Sequence, residues 1–139
     1  MEWRTEGFRI SDVTAELDIQ VVYDLLQTTY WAQGRSRERI ERSIAASLCF
    51  ALFNGGGEQI GFLRVVTDRA TFAWVCDVVV AGEFRGRGLG KWLVACMLEH
   101  PALAETTKYL GTKDAHGLYE QYGFIRREIL RREAAPAGS

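Results

Sequence analysis

The spacing of hydrophobic residues changes several times along this chain, and each change marks an element. Leu17, Val21, Val22, Leu25 and Leu26 fall on one helical face, so residues 16–28 read as an amphipathic helix. Ahead of it, residues 7–10 read as a short strand. The stretch 28–34 breaks the helical period. Ser36 then stands as an N-cap for a second helix carrying Ile40, Ile44 and Leu48. Its capping box is incomplete, because Arg39 rather than Glu follows three positions later. Residues 48–53 form a continuous apolar run of strand length, and Asn54-Gly55-Gly56-Gly57 reads as a hairpin turn. Two further strands are predicted over 59–67 and 71–80, joined by Asp68-Arg69-Ala70.

In the second half, Leu89, Trp92, Leu93, Cys96 and Met97 recur at helical spacing, and Pro101 ends that helix. Residues 108–111 read as a short strand. Asp114 is placed to cap a helix through Tyr122, which Gly123 ends. Residues 124–130 are predicted as a last strand. Residues 134–139 are small and proline-containing, the composition of a disordered tail. The order is β-α-α-β-β-β-α-β-α-β without internal repeat. It predicts an α/β fold with one mixed, mostly antiparallel sheet and helices on both sides. Residues 1–133 make one domain.

One segment carries chemistry in its spacing. The apolar run Val78-Val79-Val80 stops, and Gly86, Gly88 and Gly90 alternate with Arg87 and Leu89 between Arg85 and Lys91, where a helix begins. Backbone N–H groups at a helix start point at an incoming anion, and the helix dipole favours negative charge there. Glycine lets a phosphate approach the backbone. The dinucleotide fingerprint fails on glycine spacing, and the Walker loop fails at Arg85 and at Trp92. The predicted ligand is a phosphate or pyrophosphate.

Composition narrows the class. A chain of 139 residues with net charge −1 gives no argument for nucleic acid as a main partner. No run approaches the ~18 apolar residues of a membrane span, and the N-terminal stretch lacks the long apolar core of a signal peptide. Cys49, Cys76 and Cys96 are odd in number, far apart and set in apolar runs. They are expected to be buried, reduced thiols, and the location expected from these features is cytoplasmic. No metal is implied, and a homodimer is left open.

Arg85-x-x-Gly88-x-Gly90 resembles the pyrophosphate loop of the GNAT superfamily of acetyl-coenzyme A-dependent N-acetyltransferases. A second stretch agrees. Ala115, Leu118, Tyr119, Gly123 and Phe124 match the family's Asn-x-x-Ala-x-x-Leu-Tyr-x-x-x-Gly-Phe, with Thr112 at the place of the Asn. The resemblance covers the element order of nearly the whole chain. It implies a sheet of six or seven strands, splayed at the central strands, with acetyl-coenzyme A as co-substrate. It also implies that Val78, Val79 and Val80 offer backbone groups to pantetheine, and that residues 85–91 hold the pyrophosphate. Thr112 would replace the Asn contact. Tyr119 would be the general acid for the leaving thiolate.

The acceptor is expected to be a primary amine of a small molecule. Asp77, an acid inside an apolar strand, either binds its ammonium, takes its proton, or is a structural partner of an arginine such as Arg64. Strand alternation puts Asp77 and Val79 on one face, Val78 and Val80 on the other. Tyr30, Trp31, Phe72 and Trp74 are the candidate aromatic wall for the acceptor, with core packing as the alternative. His116 is expected to be solvated, and His100 to have no chemical role. A peptide or protein amine, and a non-catalytic acyl-coenzyme A binding or sensing module on the same fold, remain alternatives.

Overall fold

The computed structural model describes residues 1–135. The tail predicted over 134–139 lies, from residue 136 onward, outside the described residues. Six strands form one sheet in sequence order: β1 (Glu2–Thr5), β2 (Phe8–Ser11), β3 (Leu48–Asn54), β4 (Gln59–Thr67), β5 (Phe72–Val80) and β6 (Thr107–Tyr109). The first five pair antiparallel, and β5 pairs parallel with β6. The helices are α1 (Ile19–Gln27), α2 (Arg37–Ala45), α3 (Leu89–Glu99) and the short α4 (His116–Glu120).

The two faces of the sheet carry separate cores. Phe62, Cys49 and Val79 meet Val22, Leu25 and Leu26 of α1 and Ile40 and Ile44 of α2. On the opposite face Phe50, Leu63, Val75 and Val80 meet Leu93, Val94 and Met97 of α3. Both caps form with short polar side chains. Asp18 accepts from the Val21 N–H at 3.2 Å, and Ser36 accepts from the Arg39 N–H at 3.2 Å. Leu48, expected in the second helix, is instead the first residue of β3.

Three expectations change. The first strand has a partner, β1, joined to it by a tight turn in which Gly7 has φ +80°. Its Glu-Trp-Arg-Thr sequence is a mostly exposed edge without apolar alternation, so periodicity is silent on it. The predicted last strand does not form, and residues 124–130 pair with no other strand. Their apolar residues come in adjacent pairs, Phe124-Ile125 and Ile129-Leu130, which a strand would turn to opposite faces. Ile125, Ile129 and Leu130 are accordingly exposed. Third, Asp114 does not cap α4: the N-cap is Ala115, with no side-chain cap, and the Thr112 hydroxyl accepts from the Ala115 N–H at 3.0 Å in the turn that leads into the helix. Gly123, with φ +87°, follows its last turn as expected.

Two irregularities in β5 shape the molecule. Its pairing with β6 runs only from Phe72↔Thr107 to Trp74↔Tyr109, so Val75 to Val80 have no strand partner on that edge. The splay expected at the central strands lies here at the last pair of the six-stranded sheet, because no further strand follows β6 among the described residues. On the other edge, Phe62 pairs with Val79 but Arg64 with Cys76. Two residues, Asp77 and Val78, thus oppose the single Leu63, which is a β-bulge. Asp77 sits at φ +57°, left-handed backbone that costs an L-residue about 1–2 kcal/mol and that Asp tolerates better than most. The bulge reverses the strand's alternation. Ala73 and Val75 face the α3 core before it, Val80 faces the same core after it, and Val79 faces α1.

Gly61 of β4 makes the close packing beside this bulge. A Cβ there would lie 2.9 Å from Leu52 Cδ2 and 3.2 Å from the Val79 carbonyl oxygen. Gly61→Ala is therefore expected to destabilise the fold by about 1–3 kcal/mol, the usual cost of overpacking. A lower urea midpoint at unchanged slope checks this; an unchanged midpoint contradicts it.

Candidate functional site

The gap where β6 leaves β5 opens into a cleft of about 1660 Å³. Nearly all the sequence-predicted site residues line it: Tyr30, Trp31, Phe72, Trp74, Asp77, Val78, Val79, Val80, Arg85, Gly86, Gly88, Leu89, Gly90, Lys91, Thr112 and Tyr119. Arg87 does not, because its guanidinium lies over the Phe84 ring, 5.2 Å from the centroid. His116 lines a neighbouring cavity of about 1050 Å³. His100 is 2.6 Å from Asp12 on the far side of the sheet and takes no part.

One half of the cleft is backbone. The Ala81 N–H bonds the Ile60 carbonyl, and the Val79 carbonyl faces Gly61, so the peptide groups of residue 79 turn toward β4. By alternation those of Val78 and Val80 turn to the open edge. The Val80 carbonyl is taken at 3.0 Å by Arg85 Nε, which ties the turn to the strand end and leaves the Val78 peptide available. Beyond the turn, Gly86 and Gly88 have φ +79° and +77°, and a Cβ on either would meet nothing within 4 Å. The space above these glycines is therefore open to a ligand. Gly88 is the N-cap of α3 and offers no side-chain cap, so the helix start keeps its N–H groups for an outside acceptor. The open edge, the exposed helix start and the adjoining Arg85 and Lys91 fit a long ligand with a pyrophosphate at one end.

The other half of the cleft is built around a buried carboxylate. Asp77 Oδ1 accepts from Trp31 Nε1 at 3.0 Å, and Oδ2 accepts from Arg35 Nη1 and Arg64 Nε at 2.9 Å each. Its side chain is 1% exposed, against 23% for Arg35 and 13% for Arg64. The structural pairing of Asp77 with Arg64 is thus present. Arg35 is a partner that sequence reasoning did not find: it sits in a polar stretch 42 residues away with no motif around it. The four aromatic residues line the cleft, and their contacts divide them. Tyr30 and Trp31 meet edge to face at 5.1 Å, with Lys113 Nζ 4.4 Å from the Tyr30 centroid. Phe72 stacks on Tyr109, another residue the sequence did not single out.

Tyr119 comes from α4 and is half-buried where both halves meet, its ring edge-on to Phe124 at 5.9 Å. Burial raises its phenol above the ordinary value, and Tyr30 and Asp114 push it the same way, so it remains a protonated acid. Thr112 uses its oxygen to accept from the Ala115 N–H in the turn before α4 and keeps its hydroxyl proton for donation. Cys76, beside Asp77, is pushed up to about 11 by burial, and Asp77 adds to this while Arg64 opposes it. Its thiol is neutral near pH 7 and is no nucleophile.

Comparison with known proteins agrees with this architecture. The family model described as Acetyltransferase (GNAT) domain matches residues 45–126, which is more than half of the chain. The protein belongs to the GNAT acetyltransferase family. It is similar to a provisionally assigned GNAT acetyltransferase from Xanthomonas campestris pv. campestris, at 38% identity and TM-score 0.86, over 91% of this chain and 93% of that one. A GNAT family acetyltransferase from Elizabethkingia anophelis, solved with acetyl-CoA bound, shares the fold at TM-score 0.68 and 22% identity, over 89% of this chain and 80% of that one. A provisionally named acetyltransferase of Gibberella zeae is 26% identical over 116 residues, 70% of this chain and 66% of the relative. An uncharacterized N-acetyltransferase of Pyropia yezoensis is 29% identical over 75 residues, 52% of this chain and 43% of the relative. The chain thus spans less than two thirds of the length of these curated relatives.

The Asp77 cluster yields a stability prediction. Asp77→Asn leaves two guanidiniums facing a neutral amide. Stripping one partner from a buried pair costs about 3–5 kcal/mol, and the low end applies here because both arginines reach solvent. Urea unfolding of the variant is expected to show a loss of about 3 kcal/mol; a loss near zero would mean the cluster does not hold the cleft together.

Proposed function

We propose that the protein moves the acetyl group of acetyl-coenzyme A to a primary amine of a small molecule, by direct attack, with Tyr119 as the general acid. The observation that carries the reading is the meeting of three parts in one cleft. They are an unpaired strand edge, a glycine-rich helix start beside basic residues, and a half-buried protonated phenol. Acetyl-coenzyme A supplies an acetyl group already activated as a thioester. The N–H of Val78 is placed to stabilise negative charge on the acetyl oxygen. As the C–N bond forms and the C–S bond breaks, Tyr119 gives its hydroxyl proton to the departing sulfur, and the amine loses its surplus proton to water.

Asp77 enters this reading as a positioning residue. Both its oxygens are committed to Trp31, Arg35 and Arg64, so its work is to hold those side chains at the acceptor end. The acid limb of the pH–rate profile should then be the same in Asp77→Asn, while the acceptor KM rises. A base would move the limb.

A screen of primary amines for acetyl-dependent release of thiol tests the reading directly, and release with none of them would overturn it. With an accepted amine, Tyr119→Phe is expected to lower kcat by about 10²–10⁴-fold while coenzyme affinity holds. Because the protonated phenol is the active form, wild-type turnover persists up to its pKa and falls above it. That fall should come above the ordinary phenol value of about 10. Full turnover of Tyr119→Phe, with chemistry rate-limiting, would remove Tyr119 from the role.

Gly88→Val addresses the other end of the cleft. It fills the open space over the loop and forces a β-branched residue into left-handed backbone. Calorimetry should show acetyl-coenzyme A affinity at least about tenfold weaker, as expected when charge-assisted backbone contacts to a phosphate are lost. Unchanged affinity in a folded variant would place the pyrophosphate elsewhere.

A further inference from the structure

The acceptor end of the cleft holds more positive charge than its own contacts use. Two guanidiniums share one carboxylate oxygen: Arg35 Nη1 and Arg64 Nε each lie 2.9 Å from Asp77 Oδ2, so these donors are at most twice that distance apart. Two positive charges against one negative leave the cluster cationic. Lys113 stands nearby over Tyr30, with Asp114 beside it. Around the whole cleft, six basic residues face two acidic ones, and only Arg85, Lys91 and Arg131 lie outside the acceptor end.

Both guanidiniums keep unused donors. Arg64 spends Nε on Asp77 and Nη1 on Ser47, and Arg35 spends only Nη1. Among the described residues no buried side-chain nitrogen lacks a partner, so the unused Nη2 of Arg64 and the unused Nη2 and Nε of Arg35 reach solvent. Both residues line the cleft. An ammonium brought here would meet net positive charge. The same field lowers the pKa of an amine, favouring the neutral form that can attack. It also attracts any oxyanion the amine-bearing molecule carries, and guanidinium N–H groups suit carboxylate and phosphate oxygens.

We propose that the acceptor carries an oxyanion group, a carboxylate or a phosphate monoester, which the unused guanidinium nitrogens of Arg35 and Arg64 hold while its amine reaches the acetyl group. This specifies the substrate class and rests on the transfer reading given above. Asp77 orients the two guanidiniums, and Val78, the next residue, lies along the open edge. The anion and the amine are then groups of one molecule, the first held at the guanidiniums and the second at the open edge. Amino acids and short amino phosphates carry both groups. The Tyr30–Trp31 pair would border the rest of the molecule.

The test is binding first, with coenzyme A saturating so that the basic loop is occupied. Calorimetry compares 3-phenylpropanoate, phenyl phosphate and 3-phenylpropylamine. At least one of the two anions is expected to bind about tenfold or more tightly than the amine, and which one does so identifies the oxyanion. Arg35→Gln should weaken that anion about tenfold or more, as for loss of a charged hydrogen bond. Arg35→Lys should restore part of the affinity. Binding of the amine as tight as the tighter of the two anions in the wild-type protein, or affinity for that anion indifferent to Arg35→Gln, overturns the proposal. Turnover then separates the two readings, using L-phenylalanine against 2-phenylethylamine and O-phosphoethanolamine against ethanolamine. Arg35-dependent anion binding with no amine acetylated would support the anion site and defeat the transfer reading. Equal kcat/KM within both pairs would defeat the anion site and leave transfer standing.

Discussion

The bulge at Asp77 and Val78 is the constraint on which the rest of the site depends. Without the extra residue, strict alternation would turn Asp77 toward the apolar side chains of the α3 core. With it, Asp77 turns toward α1 and α2, where Trp31, Arg35 and Arg64 receive its carboxylate. The left-handed backbone at Asp77 is a local cost. Three charge-assisted or indole hydrogen bonds to a buried carboxylate offset it. The strand then resumes on the opposite parity, so Val79 still reaches the α1 core and Val80 the α3 core.

The same strand separates two kinds of chemistry. Its outer edge, freed when β6 ends its pairing at Tyr109, offers backbone, and backbone can hold a ligand without regard to side-chain identity. Its α1-facing side offers charged and aromatic side chains, which discriminate. The glycine-rich turn follows at the strand's C-terminal end, fixed there by the Arg85 bond to the Val80 carbonyl. The phenol of Tyr119 is delivered by a different element, α4. A side chain on so short a helix depends on its packing for its position, here against Phe124 and the α3 core.

The three cysteines illustrate how burial settles a role that composition leaves open. Cys49 and Cys96 are pushed up to about 12 by burial, opposed by Arg64 at Cys49 and reinforced by Glu99 at Cys96. All three thiols are free in the structure. Cys49 and Cys96 serve as small apolar side chains in the two cores, and the half-buried Cys76 lines the cleft.

The sequence by itself determined the parts whose physics is local. The helical faces of Val22-Leu25-Leu26 and Leu93-Cys96-Met97, the Ser36 cap, the glycine turn at 54–57 and the glycine-rich turn into α3 at 85–91 all follow from neighbouring residues, and each stands in the fold. So does the resemblance carried by Gly88, Gly90, Tyr119 and Gly123, because glycine spacing and a helix stop are also local. What depends on long-range pairing was decided by the tertiary structure. β1 exists because a polar edge finds a partner, and 124–130 does not join the sheet because its paired apolar residues suit neither face. Asp77 looked the same in sequence whether base, anchor or structural acid. Its surroundings come from Trp31, Arg35 and Arg64, brought from 46, 42 and 13 residues away by the packing of α1 and β4 against a bulged strand. Periodicity cannot report a single inserted residue that reverses a strand's parity, and so it could not report which charges the cleft would hold.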